Sequence, residues 1–198
     1  MFEIEESIER QGFHLVAGVD EVGRGSLYGD VLAAAVVFPP GVRVEEAKDS
    51  KACTARERER LFAEIQRKAL AIGIGVADPD TIDRVNIRQA SRLAMLRAVQ
   101  ALQVEPEYLL VDAEQVDGCL PQRAVVHGDA LCHVIAAASI VAKVTRDRLC
   151  HDWEQLDPGY GIARHKGYAT AFHRERIRSL GATPRHRQTF LGRILSMR

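Results

Sequence analysis

The sequence predicts an α/β fold: a mixed sheet with helices on both sides. Two observations carry this. Short apolar runs of strand length end in turn residues or in a carboxylate, and between them apolar positions recur at helical spacing. The order also matters, because three early strands are followed by helices that alternate with two more, which fits a sheet covered on both faces.

The first strand is expected at residues 15–20, after which Gly23, Gly25 and Gly29 mark a loop. Residues 31–38 form a continuous apolar run stopped by Pro39-Pro40-Gly41. Thr54-Ala55-Arg56-Glu57 has the form of a capping box, so a helix begins there, with Leu61, Phe62, Ile65 and Ala69 as its buried stripe. A third strand is expected at 72–77. Asn86 is placed to cap a second helix through Ile87, Ala90, Ala94, Ala98 and Leu102, closed by Pro106. Residues 108–112 read as a fourth strand ending in a carboxylate, and 124–127 as a short fifth. Asp129 precedes a long helical stretch through Ile135, Ala138, Ala142 and Leu149. Asp157-Pro158-Gly159 is a turn, and a loop with Tyr160, His165, Lys166 and Tyr168 follows. The last predicted helix spans 170–180, with Gly181 as its stop.

With 198 residues, 46% hydrophobic and 27% charged, the chain is expected to form one domain over 1–198, of which 160–198 is a basic helical part. No apolar run approaches the ~18–20 residues of a membrane helix. The acidic start lacks the basic and apolar segments of a secretory signal, so a cytoplasmic protein is expected; a monomer with no membrane partner and no small-molecule cofactor is the further expectation. Cys53, Cys119, Cys132 and Cys150 have no Cys-x-x-Cys spacing and read as reduced thiols. The zero net charge hides a polarity. Residues 1–163 carry 18 basic against 26 acidic residues, whereas 164–198 carry nine basic residues against Glu175 alone. This suggests an acidic centre for cations beside a basic arm for phosphates; the plainer alternative is a solvated basic helix.

Asp20 and Glu21 follow the apolar 15–19, and Asp112 ends the apolar 109–111. Two strand ends in one sheet can bring such carboxylates together, where they repel unless a cation lies between them. Oxygen ligands suit Mg²⁺ or Mn²⁺. Asp129 could join them, although its spacing alone reads as a helix N-cap. Gly23-Arg24-Gly25 allows close backbone approach to a ligand, and Lys51 in Asp49-Ser50-Lys51 could meet a phosphate.

The segment Ala17-Gly18-Val19-Asp20-Glu21-Val22-Gly23-Arg24-Gly25 resembles the signature of type 2 ribonucleases H. The resemblance continues through Asp49-Ser50-Lys51, Ile82-Asp83-Arg84-Val85-Asn86-Ile87 and the strand ending at Asp112. It extends over Gly128-Asp129, the run from Ile135 to Asp147, Gly159-Tyr160-Gly161, His165-Lys166-Gly167-Tyr168 and His186-Arg187, all in family order. The short bacterial form is the nearest in length. The resemblance implies a ribonuclease H-like five-stranded mixed sheet with a C-terminal helical region. It also implies four carboxylates, Asp20, Glu21, Asp112 and Asp129, that are catalytic and hold two Mn²⁺ or Mg²⁺ ions. Substrate contacts are implied at Gly23, Arg24, Gly25, Lys51, Lys143, Lys166, Tyr168 and Arg187. The implied substrates are RNA–DNA hybrids and duplex DNA containing single ribonucleotides, cut to leave 3′-hydroxyl and 5′-phosphate ends. A non-catalytic duplex-binding module and another nuclease on the same fold are the alternatives. The sequence departs from the family pattern at Ser26-Leu27-Tyr28-Gly29-Asp30, Ala52-Cys53, Ala113 and His127. Ala52 and His127 each remove a cation that could meet phosphate.

Overall fold

A computed structural model describes residues 2–44, 47 and 53–196, with side chains to residue 192. Asp49, Ser50 and Lys51 lie outside the described residues. In chain order the elements are α1 (Glu3–Glu9), β1 (Val16–Val22), β2 (Val31–Val37), α2 (Ala55–Lys68), β3 (Ala71–Ala77), α3 (Pro79–Val85), α4 (Ile87–Gln100), β4 (Tyr108–Asp112), β5 (Gln122–Val125), α5 (Gly128–Leu131), α6 (His133–Leu156), α7 (Ile162–His165), α8 (Ala171–Leu180) and α9 (Gln188–Ser196).

The five strands form one sheet in the order β3-β2-β1-β4-β5. The β3-β2-β1 side is antiparallel, and β4 and β5 run parallel to β1. Val19 pairs with Val111, so Asp20 and Asp112, each one residue further on, leave adjacent strands at the same level. Alternation along a strand puts both on the face that Gly18 and Leu110 present.

That face carries α6. Ile135, Ala138, Ile140 and Ala142 pack there with Leu32, Ala34, Val36 and Leu110, and Leu61, Phe62 and Ile65 of α2 join the same core. The approach is close because Gly18 has no side chain: a Cβ there would stand 2.1 Å from the Val134 carbonyl carbon. On the opposite face Ala90, Ala94, Met95 and Ala98 of α4 cover Val19, Ala33, Ala35 and Val111. Here Gly73 of β3 gives the room, since a Cβ would meet the Ala98 carbonyl oxygen at 2.0 Å. A third, smaller core joins Leu27 and Tyr28 after β1 to Trp153, Tyr160, Ile162, Ile177 and Leu191. It fastens the C-terminal helices to the loop that follows the first strand.

Local signals formed what they encode. Thr54 and Glu57 make the reciprocal capping box of α2. Asn86 caps α4 by accepting from the Arg88 and Gln89 amides. Thr170 caps α8, and Gly181 closes it. Three expectations are corrected. The fifth strand lies at Gln122–Val125, because Val125 pairs with Asp112 and the chain turns away at His127, whose φ is 56°. The long stretch after Asp129 is two helices, broken where Cys132 is extended. Asp129 is not an N-cap: it sits inside α5, after His127 and Gly128, and Cys132 precedes α6. Helices α1, α3, α7 and α9 were not anticipated. The signal for α3 was present, since Asp78 caps it through the Thr81 amide and Pro79 opens it. The start of α9 is held from afar: Asp83 accepts from the Gln188 and Thr189 amides at 2.8 and 3.0 Å.

Candidate active site

At the C-terminal ends of β1 and β4 the structure opens a cavity of roughly 320 Å³ lined by Asp20, Glu21, Asp112, Gly23, Arg24, Gly25, Ser139, Lys143 and Tyr168. The sheet supplies the acids, α6 supplies Ser139 and Lys143, and the loop before α8 supplies Tyr168.

The acids are held individually. Asp20 is buried and accepts from the Glu21 amide at 2.7 Å. The Ser139 hydroxyl also donates to it. Asp112 Oδ1 accepts from the Gly128 amide at 2.7 Å. Glu21 Oε1 accepts from Arg24 Nη1 at 3.2 Å, while Arg24 also reaches Glu114 at 3.8 Å. Burial pushes the Asp20 carboxyl well above the usual carboxylate range, and the charges of Glu21 and Asp112 push it further. Burial likewise raises Glu21, against the pull of Arg24. The site therefore concentrates negative charge that the protein compensates incompletely.

A hard divalent cation fits this donor set. All three side chains offer oxygen, and Glu21 Oε2 is buried with no hydrogen-bond partner. Among the described residues no three His, Cys, Asp or Glu side chains form a ready metal-holding group. The carboxylates are instead turned onto Gly128, Arg24 and the Glu21 amide, contacts they would exchange on loading. Asp129 is buried one residue beyond the amide that holds Asp112, but it does not line the cavity.

The loop after β1 is clamped from behind by two buried arginines. Arg146 of α6 donates to Ser26 Oγ (3.0 Å), the Tyr28 carbonyl (3.2 Å), the Asp30 carbonyl (3.1 Å) and the Lys166 carbonyl (3.0 Å). Arg187 donates to the Gly29 carbonyl (2.9 Å) and the Arg24 carbonyl (3.0 Å). Arg187 was expected on substrate; it is fully buried and faces the loop's backbone, so the sequence-based assignment is corrected to a supporting one. Arg146 and Ser139 lie in the run from Ile135 to Asp147 that carries the resemblance, but sequence reasoning assigns neither a role. Ser139 is a polar residue interrupting an apolar helical run, which is the signal that marks it; Arg146 lies among Lys143, Thr145, Asp147 and Arg148 and has no such mark in the sequence.

The glycines of the loop differ in their reasons. Gly23 has φ 93°, and a Cβ would stand 2.3 Å from Arg146 Nε, so the clamp itself requires glycine. At Gly25 the nearest atom to a Cβ is Tyr168 Cε1, 3.7 Å away, which leaves an open space between backbone and ring. Tyr168 is 41% exposed at the mouth of the cavity, and a bridge between Ser26 and Tyr168 ties the two loops. Lys143 lies in the cavity paired with Asp147. Lys166 instead lines a neighbouring cleft with Arg58, Arg148 and His151. The basic arm is partly engaged with its own backbone: Arg174 donates to the Ala169 carbonyl and Arg176 to the Gly159 carbonyl.

A five-stranded mixed sheet with carboxylates at adjoining ends of its parallel strands defines a hydrolytic enzyme of the ribonuclease H-like class. Residues 17–193 match the family described as ribonuclease HII. The chain is 50% identical over 199 residues to the ribonuclease HII of Alkaliphilus oremlandii, covering 98% of each. It is 50% identical over 193 residues to that of Geobacter metallireducens, covering 97% of this chain and 91% of the relative. In structure it is similar to ribonuclease H2 from Pyrococcus horikoshii, with a TM-score of 0.75 at 26% identity, covering 91% of this chain and 97% of that one. The chain belongs to the ribonuclease HII family, the type 2 ribonuclease H endonucleases.

Proposed function

We propose that this enzyme cuts the RNA strand of RNA–DNA hybrids, and cuts duplex DNA at single embedded ribonucleotides, leaving 3′-hydroxyl and 5′-phosphate ends. The observation that carries this reading is the shared cavity of Asp20, Glu21, Asp112, the Gly23–Gly25 backbone and Tyr168. It joins acids suited to metal with an open backbone and an aromatic ring suited to a sugar. Asp20, Glu21 and Asp112 would hold Mg²⁺ or Mn²⁺, with Asp129 as the neighbouring fourth carboxylate. When bound, such a metal supplies an activated water and charge stabilisation at the scissile phosphate.

The chain's own residues supply selectivity. Peptide groups at 23–25 offer hydrogen bonds to a ribose 2′-hydroxyl, which DNA lacks. Tyr168, across the open space at Gly25, packs on the following sugar, where an added hydroxyl would crowd the ring. Lys143 and Lys166 meet phosphates beside this point. The basic 164–198 segment adds contacts that position without reading sequence. Lys51 is proposed as a further phosphate contact by family resemblance, and the setting proposed is the cytoplasm. Among the described residues no helix is long and apolar enough to cross a membrane.

The test is a duplex carrying one ribonucleotide, end-labelled and incubated with Mg²⁺ and Mn²⁺ in parallel, with the product ends identified enzymatically. Tyr168→Ala should lose most cleavage there and less within continuous RNA. Equal losses on both substrates would remove Tyr168 from junction reading; metal-independent cutting would remove the whole proposal.

A further inference from the structure

Behind Tyr168 lies a buried polar chain that the reaction itself does not use. His173 of α8 and His186 before α9 are both fully buried, and their Nε2 atoms face each other at 3.3 Å. His173 Nδ1 stands 3.0 Å from the Tyr168 carbonyl oxygen. At the other end the Thr183 amide donates to His186 Nδ1 at 3.0 Å.

These contacts fix where the protons are. The Tyr168 carbonyl can only accept, so His173 Nδ1 carries hydrogen, and a neutral ring then has a lone pair on Nε2. The Thr183 amide can only donate, so His186 Nδ1 is the lone pair and its Nε2 carries hydrogen. The two deductions are independent, and they agree: His186 Nε2–H donates to His173 Nε2. One directional chain results, running from the Thr183 amide through both rings to the Tyr168 carbonyl.

The surroundings hold both rings neutral. His173 faces His165, whose ring stacks on it at 4.4 Å between centroids, and the edge of Tyr160. His186 faces the rings of Tyr28 and Tyr160. The nearby carboxylate, Asp157, is engaged by the hydroxyls of Tyr28 and Thr183. Burial draws His173 and His186 down to about 4. A second proton on either ring would set N–H against N–H across the 3.3 Å contact or against the Thr183 amide.

We propose that His173, oriented by His186, is a positioning residue for Tyr168: its Nδ1–H fixes the Tyr168 backbone, and so the ring's height over the Gly25 space, for ribonucleotide-junction recognition. The proposal rests on the junction-reading role of Tyr168 given above. Its first test is independent of that role. Imidazole ¹⁵N NMR at pH 7 should find His173 as the Nδ1–H tautomer and His186 as the Nε2–H tautomer, and the reverse pair overturns the chain.

The second test separates the two amide replacements. An Asn side chain can place a donor near the former Nδ1, and a Gln near the former Nε2. His173→Asn should keep the wild-type ratio of kcat/KM between single-ribonucleotide and continuous-RNA substrates within about twofold. His173→Gln should lower it by about fivefold, the scale of one lost hydrogen bond. In a Tyr168→Ala background His173→Gln should lower the ratio no further. If Tyr168→Ala leaves the ratio unchanged, the junction reading fails whatever the tautomers. If Tyr168→Ala lowers it but His173→Gln does not, or Asn and Gln act alike, the positioning role of His173 is wrong while the junction reading stands.

Discussion

Gly18→Ala tests the link between core packing and the acid site. A Cβ at residue 18 would lie 2.1 Å from the Val134 carbonyl carbon and oxygen and 2.5 Å from the Ile135 amide nitrogen, whereas ordinary contact begins near 3.4 Å. The obstacle is helix backbone, which cannot swing aside as a side chain can, so α6 must retreat from β1 by roughly 1 Å. Overpacking of a tight core costs on the order of 1–3 kcal/mol, and this site belongs at or above the upper end. The same retreat moves Ser139, four residues beyond Ile135 on α6, away from Asp20. Misplacement of about 1 Å at a catalytic group can cost ~10²-fold in rate. Urea unfolding can be followed by the single tryptophan, Trp153, which is buried on α6. Gly73→Ala is the control: its Cβ would strike the Ala98 carbonyl at 2.0 Å, on the opposite face. Both variants should lose about 3 kcal/mol, but the Gly18 variant should lose far more of the remaining folded-state rate. Equal rates in the two, or a Gly18 variant within 1 kcal/mol of wild type, would refute the coupling.

Three further outcomes follow from the same geometry. Without metal, Asp20→Asn should melt above wild type at pH 7, because a carboxyl raised in the folded state costs stability as soon as the pH rises above its unfolded pKa; with Mg²⁺ it should lose at least ~10²-fold in nicking, and a lower melting point would contradict the buried-repulsion argument. Burial depresses His133, His173 and His186 from 6.5 to about 4, so stability should be intact above pH 6.5 and fall as the pH drops toward 4, by up to ~1.4 kcal/mol per pH unit for each ring; urea midpoints measured in the Asp20→Asn background, which removes the opposing slope of that acid, should show it, and a flat profile from pH 6.5 to 5 would rule it out. Arg146→Lys should cost about 3 kcal/mol or more, since one ammonium cannot serve four separated acceptors, and should raise KM on duplex substrates; calorimetry alongside steady-state kinetics would expose a neutral substitution.

Most of the sheet was readable from local pattern because its strands are apolar runs bounded by turn residues. The same holds for the helices with caps in sequence, at Thr54, Asn86 and Thr170. The acids were readable because Asp20 and Asp112 each follow directly on an apolar run of strand length. What escaped depends on distant partners. The α9 start is capped by Asp83, more than a hundred residues away in sequence, and β5 takes its register from Asp112. Arg187 is assigned to substrate by the family resemblance alone, and an arginine in a basic segment carries no mark of burial. Only the carbonyls of Arg24 and Gly29, brought to it by the fold, show that it faces inward.

The clamp on the loop after β1 has a consequence for the order in which the enzyme matures. β1 can pair with β2 as soon as both emerge from the ribosome, since they are neighbours in sequence. Asp112 cannot reach Asp20 until β4 is added at the other edge of β1. The backbone around Arg24 and Gly29 remains without its buried donor until Arg187 has been synthesised and the segment before α9 has docked. All five strands are therefore synthesised before the donor that completes the loop after β1. A nascent chain can carry Asp20, Glu21 and Asp112, and still lack the buried donor to the loop beside them while it remains attached to its own messenger RNA.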